Sequence, residues 1–123
     1  MPTLAPERRP AGPNVTGFAG RGFRIDGDAT PGGVLLAPEW WRPIPDAEAV
    51  LDLDLLQPLI ALLPEFLLLG TGAALVRPDR ALVAALDGHG IGIEAMDSRA
   101  AARAWGVLRA EDRWIAAALL PLA

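Results

Sequence analysis

Gly70-Thr71-Gly72 follows directly on the apolar run Phe66 to Leu69, in the stretch "PEFLLLGTGAAL". Glycines at the end of a buried strand let backbone amides approach a phosphate, so nucleotide chemistry would sit here. A dinucleotide-binding loop also needs a third glycine close behind and a helix N-terminus directly after it. The chain continues instead as Ala73-Ala74-Leu75-Val76-Arg77-Pro78, and no helix can start before about Pro78. A Walker loop lacks its lysine, since all 11 basic residues are arginine. The plainer account is a tight turn that uses two glycines for backbone conformation.

Asp97-Ser98 is the second candidate. It ends an expected strand, Ile91 to Met96, and opens an expected helix, which puts it on the same sheet edge as the glycine loop. If the two strands are neighbours, Gly70, Thr71, Gly72, Asp97 and Ser98 face one small concavity whose free amides could hold a carboxylate or phosphate. Helix capping is the alternative role for Asp97 and Ser98. A serine nucleophile needs an activating base, and the chain's single histidine, His89 in "GHGIG", falls at the opposite edge.

The missing residue types narrow the chemistry further. There is no cysteine, lysine or tyrosine, and Ser98 is the only serine. Thiolate nucleophiles, disulfides, Schiff bases and cysteine-bound metals are therefore excluded. Asp52 and Asp54, two apart on a helix, point to different sides and would not share a metal or a proton. Capping accounts for them better, with Asp54 as N-cap and Gln57 three residues on. Glu111-Asp112-Arg113 reads as a turn. No catalytic residue, metal site or cofactor is expected, so the domain is not expected to be an enzyme.

Trp40 and Trp41 carry a different kind of chemistry. Pro43 and Pro45 keep their segment extended and away from a central strand position. In an extended chain adjacent side chains face opposite ways, so one ring is expected in the core and the other outward as a partner-binding anchor. The competing account packs both rings beneath the N-terminal tail or another loop.

The elements that must position these residues follow from periodicity. "GFRIDGD" reads as a strand entering an Asp26-Gly27 turn, and "GGVLLA" as a second strand at about 34–37. "LLQPLIALL" is a helix stopped by Pro64. "PDRALVAALDGHG" is a second helix, with Leu82, Ala85 and Leu86 as its apolar stripe and Gly88 as its left-handed cap. A third helix carries Ala101, Ala104, Trp105 and Leu108 at helical spacing, and "RWIAAALLPL" closes the chain as a strand. Hairpin first, then strands alternating with helices, predicts an α/β domain with a mostly parallel central sheet.

At 123 residues, 52% of them hydrophobic, the chain can bury one substantial core. A flexible Pro- and Arg-containing tail is expected over 1–17 and a single α/β domain over 18–123. The net charge of −4 gives no general attraction to nucleic acid or anionic membranes. The first twenty residues lack the continuous apolar run of a secretory signal, and the apolar stretch from Leu55 to Leu69 is broken by Pro58, Pro64 and Glu65. A soluble cytoplasmic protein without direct membrane insertion is expected.

Four motifs in order, "GFRIDG" (22–27), "LLLGTG" (67–72), "GIGIEAMDS" (90–98) and "AAALLP" (116–121), carry a family resemblance. Over about Phe18 to Leu122 the chain resembles the small-domain family of mitochondrial respiratory complex I assembly factor three and its uncharacterised bacterial and archaeal relatives, a Mth-type domain of unknown function. The resemblance implies a three-layer α/β fold: a mixed sheet of about five strands, flanking helices and an added N-terminal β-hairpin. It implies protein association rather than a firmly attached enzymatic activity. Where the family commonly has Thr-Tyr-Asn, Ala104-Trp105-Gly106 stand here, and Ser98 replaces a common threonine.

Two functions from different classes remain. One is a non-catalytic interaction or assembly-factor-like module, with a protein partner or a second copy of itself. The other is a small-anion or metabolite binder, or an unrecognised enzyme, using the edge at Gly70–Gly72 and Asp97-Ser98.

Overall fold

The computed structural model describes residues 12–45 and 48–123. Residues 1–11 of the expected tail lie outside this range. Val15 to Gly17, also expected in the tail, are in a strand. That strand, β1 (Val15–Ala19), pairs antiparallel with β2 (Gly22–Ile25), which pairs in turn with β3 (Asp28–Ala29). The β2–β3 turn uses Asp26 and Gly27, both at positive φ (50° and 94°), as a tight hairpin of this hand requires. β1 carries little sequence signal because its register is broken by a bulge between Val15 and Gly17 and none of its residues is fully buried.

The central sheet holds β4 (Val34–Leu36), β5 (Trp41–Pro43), β6 (Phe66–Gly70), β7 (Gly92–Met96) and β8 (Ala116–Leu119), in the order β5-β4-β8-β6-β7. β7, β6 and β8 run parallel, while β4 and β5 add antiparallel pairs. The sheet is thus mixed and five-stranded, with a separate three-stranded antiparallel sheet beside it. Pro43 is tolerated because β5 is an edge strand.

The sheet separates two cores, and strand alternation assigns residues to each. Leu67, Leu69, Leu35, Ala116 and Ala118 face one side, where they pack with Leu56, Leu59 and Ile60 of α1 (Leu53–Ile60) and Leu82 and Leu86 of α2 (Arg80–Gly88). Leu68, Val34, Leu36, Ala117 and Leu119 face the other, with Phe23 and Ile25 of the hairpin and Ala101, Ala102 and Trp105 of α3 (Ser98–Ala110). The three layers are therefore α1 and α2, the sheet, then α3 with the hairpin. Trp105, fully buried, donates its indole N–H to the Pro13 carbonyl at 2.9 Å, which ties the segment before β1 to α3.

Two helix ends differ from expectation. The N-cap of α1 is Asp52, not Asp54: its carboxylate accepts from the Leu55 amide at 2.9 Å, so the helix begins two residues earlier. Gln57 then lies too far along to complete a capping box. Pro58 falls inside the helix and removes the intrahelical donor that the Asp54 carbonyl would otherwise receive. At the end of α2, Gly88 is the last helical residue and the left-handed position is Gly90, at φ 73°. The Ile91 amide reaches back to the Leu86 carbonyl at 2.9 Å, and both side chains are buried in the same core. This is the hydrophobic contact that accompanies such a C-terminal cap.

Candidate functional site

β6 and β7 are adjacent and parallel, with Gly70 in register with Met96. The chain therefore leaves both strands at one sheet edge, and the two candidate loops meet there. The Thr71 amide donates to the Met96 carbonyl at 2.9 Å and the Ser98 amide to the Gly72 carbonyl at 2.8 Å. The Ser98 hydroxyl accepts from the Gly72 amide at 2.8 Å and donates to the Leu120 carbonyl at 2.8 Å. One side chain thus joins the ends of β6, β7 and β8.

This arrangement determines which groups are available to a ligand. Ser98 is fully buried, and its donor and acceptor are both engaged. Asp97 caps α3 through its carboxylate, which accepts from the Ala100 amide at 2.9 Å. The Thr71 hydroxyl contacts the Ala74 carbonyl at 2.7 Å and accepts from the Val76 amide at 2.9 Å, so it organises its own loop. Gly70 is glycine because α3 is pressed against it: a Cβ there would stand 2.8 Å from Ser98 Oγ and 2.9 Å from Leu119 Cδ2. Gly72 takes φ 99°, where a side chain would be strained. The two loops meet at one edge, but Gly70, Gly72 and Ser98 are buried rather than facing a concavity, and most of the polar groups bond one another or their own loops.

Open space lies beside this junction. One wall is the segment 49–54 and the other is the loop and first turn of α2, from Thr71 to Leu82. Between them are two adjoining cavities of about 380 Å³ and about 280 Å³. Val50, Leu51 and Asp79 line both, Leu53 and Asp54 the larger, and Thr71, Val76 and Arg77 the smaller. The lining is largely apolar and much of it faces solvent: Val50 is 68% exposed and Val76 60%. The sequence offered a signal for this groove in the apolar residues Val50 and Val76. They stand outside any helical stripe or strand alternation, so a periodicity argument passes over them.

Trp40 and Trp41 do alternate, but neither is the outward anchor expected. Trp40 packs against the α1–α2 core and Trp41 against the α3 core, and both are half-buried. The Arg42 guanidinium lies over the Trp40 ring, 4.5 Å from its centroid. The more exposed tryptophan is Trp114, which lines a cleft of about 140 Å³ with Trp40, Glu39 and Leu62 at the other end of the sheet. Its indole N–H donates to the Leu62 carbonyl at 2.8 Å.

His89 sits exposed just after α2, at the amino end of β7 and away from Ser98. Among the described residues no group of three or more histidine, cysteine or acidic side chains could hold a metal ion. Among them, too, no helix is long and apolar enough to cross a membrane.

Residues 15–120 match the family described as a protein of unknown function, DUF498/DUF598. The chain belongs to this family. A crystal structure of a Bordetella parapertussis protein is 34% identical, with a TM-score of 0.80, over 90% of this chain and 97% of that one. A solution structure from Bordetella pertussis, described as a Mth938-like domain, is 26% identical over 98% of this chain and 93% of that one, again at 0.80. A Bartonella henselae protein described as an outer membrane protein is 28% identical over 91% of this chain and 97% of that one, with a TM-score of 0.77. Among curated proteins none matches the chain. These solved structures thus share its α/β architecture across nearly its whole length.

Proposed function

We propose that this DUF498/DUF598 domain is a non-catalytic protein-interaction module, assembly-factor-like in its action. The observation that carries this reading is the solvent-exposed apolar groove between 49–54 and 71–82. Apolar surface gathered in a concave site marks a place where another molecule is bound. The engagement of Ser98 and Thr71 in structural hydrogen bonds supports an absence of catalysis at this edge. A link to respiratory complex assembly rests on the resemblance to complex I assembly factor three. The reading keeps the domain in the cytoplasm, without nucleic acid or direct membrane insertion.

The test is affinity purification of the full chain from its native cell, beside a Val76→Glu variant. A protein partner retained by the first and lost by the second is the expected result. Equal recovery by both, or a stoichiometric metabolite in native mass spectrometry of the purified chain, overturns the reading.

One observation favours the second reading, a small-anion or metabolite binder at the same edge. Arg77 and Thr71 both line the smaller cavity, so a basic residue stands beside the glycine loop in one space. Native mass spectrometry of the chain purified without precipitant anions separates the two readings directly.

A further inference from the structure

A second and smaller concave surface lies at the end of the sheet opposite the groove. Trp114 and Trp40, with Pro38, Glu39 and Leu62, line a cleft of about 140 Å³ there. That is well below the roughly 300 Å³ at which small-molecule sites begin, so one or two side chains fill it and a metabolite does not. Both rings are held in place. The Trp114 indole N–H donates to the Leu62 carbonyl at 2.8 Å, and Trp40 packs on the α1–α2 core with the Arg42 guanidinium over its ring. Trp114 nevertheless stays 41% exposed.

The chain itself leads to this cleft. The described residues begin at Gly12, whose backbone lies against the Pro38–Glu39 peptide: a Cβ built on it would stand 1.8 Å from the Pro38 oxygen and 3.6 Å from the Glu39 nitrogen. Pro38 and Glu39 are themselves part of the cleft lining. The segment before Gly12, "MPTLAPERRPA", holds Pro2, Pro6 and Pro10, and sets Arg8 and Arg9 against one acid, Glu7. Proline-rich segments dock on fixed aromatic walls of this kind. Glu39 makes no ion pair among the described residues, while Arg113, next to Trp114 in sequence, is paired with Glu65. At ~3.1 Å per extended residue, Pro10 and Pro6 are about 6 and 19 Å of chain from Gly12, within reach of both rings.

We propose that the Trp40–Trp114 cleft is a docking site for a proline- and arginine-containing segment, and that its occupant is the chain's own N-terminal segment before Gly12. Pro6 and Pro10 lie on the tryptophan rings, and Arg8 and Arg9 stand beside the Glu39 carboxylate. The tether makes the contact intramolecular, with an effective concentration in the millimolar range. A proline-rich segment of another protein enters only by displacing the chain's own. This surface is separate from the groove, and the inference does not rest on the interaction-module reading.

NMR of the isotope-labelled full chain with a neutral nitroxide in solution reads the cleft directly, because each of the 4 tryptophans gives its own indole signals and the nitroxide broadens exposed rings. The Trp40 and Trp114 signals are expected to be protected in the unaltered chain and to broaden when Pro6 and Pro10 are both changed to Gly. Arg8→Glu with Arg9→Glu is expected to lower the ratio of docked to undocked chain about two- to fivefold, and Glu39→Arg alone to do the same. Combining these three charge changes sets opposite signs together again, so protection is expected to return, a gain that misfolding cannot imitate. Dilution is expected to leave protection unchanged, as a contact within one chain requires. Rings broadened equally with and without Pro6 and Pro10, or a combined charge variant no better protected than its components, overturns the inference. Protection that fades on dilution also overturns it, since the occupant is then the segment of a second copy.

Discussion

The hydroxyl of Ser98 accepts a hydrogen bond from the amide of Gly72 at 2.8 Å, across 26 residues of sequence. The same hydroxyl donates to the Leu120 carbonyl, so one oxygen links three strand ends inside the protein. Ser98 is fully buried, and both partners depend on its hydroxyl. Ser98→Ala leaves the Gly72 amide and the Leu120 carbonyl without this partner. The expected loss is about 2–4 kcal/mol, from the desolvation cost of unsatisfied buried groups, and urea unfolding measures it.

Gly70 tests how closely α3 approaches β6. With Ser98 Oγ at 2.8 Å and Ser98 Cα at 3.0 Å from a built Cβ, part of the obstacle is backbone. Gly70→Ala must push the start of α3 away from the sheet. A loss of about 1–3 kcal/mol is expected, as for other overpacked interiors. Gly106→Ala is the control, since nothing lies within 4 Å of its built Cβ and it stands within a helix. Alanine there is expected to raise stability slightly.

Trp40 and Trp41 sit against different cores on opposite faces of the sheet. Each Trp→Ala change is expected to cost about 2–3 kcal/mol, below the ~3–5 kcal/mol of a fully buried ring. The double mutant reports whether the two cores are energetically separate. Costs that add to within about 0.5 kcal/mol are expected for residues without shared partners, and a strongly non-additive pair would show that β5 shifts as a unit.

The start of α1 separates the two aspartates near it. Asp52→Ala removes the acceptor of the Leu55 amide and is expected to cost about 1 kcal/mol. Asp54→Ala removes no hydrogen bond among the described residues and is expected to cost less than about 0.5 kcal/mol. Thermal melts of the two variants side by side decide between the two positions as N-cap.

Much of the fold was legible from local pattern. The unbroken apolar run at Phe66 to Leu69 marked a strand covered on both faces, and Leu82 and Leu86 marked a helix face. Those patterns record burial, and burial repeats with the period of the element that carries it. Parallel-sheet logic also brought the Gly70–Gly72 loop and Asp97-Ser98 to one edge, because loops that follow parallel strands leave on the same side. Tertiary structure alone decided what those residues do. The partners of Ser98 lie 26 and 22 residues away. No local pattern specifies which amide a hydroxyl will meet once α3 has docked. The same holds for Trp105 and Pro13, joined across 92 residues, and for β1, whose pairing with β2 gives a bulged and only partly buried strand little alternation to display. The groove is the clearest case. Val50 and Val76 belong to two irregular segments, and only the packing of α1 and α2 on a shared core sets those segments face to face.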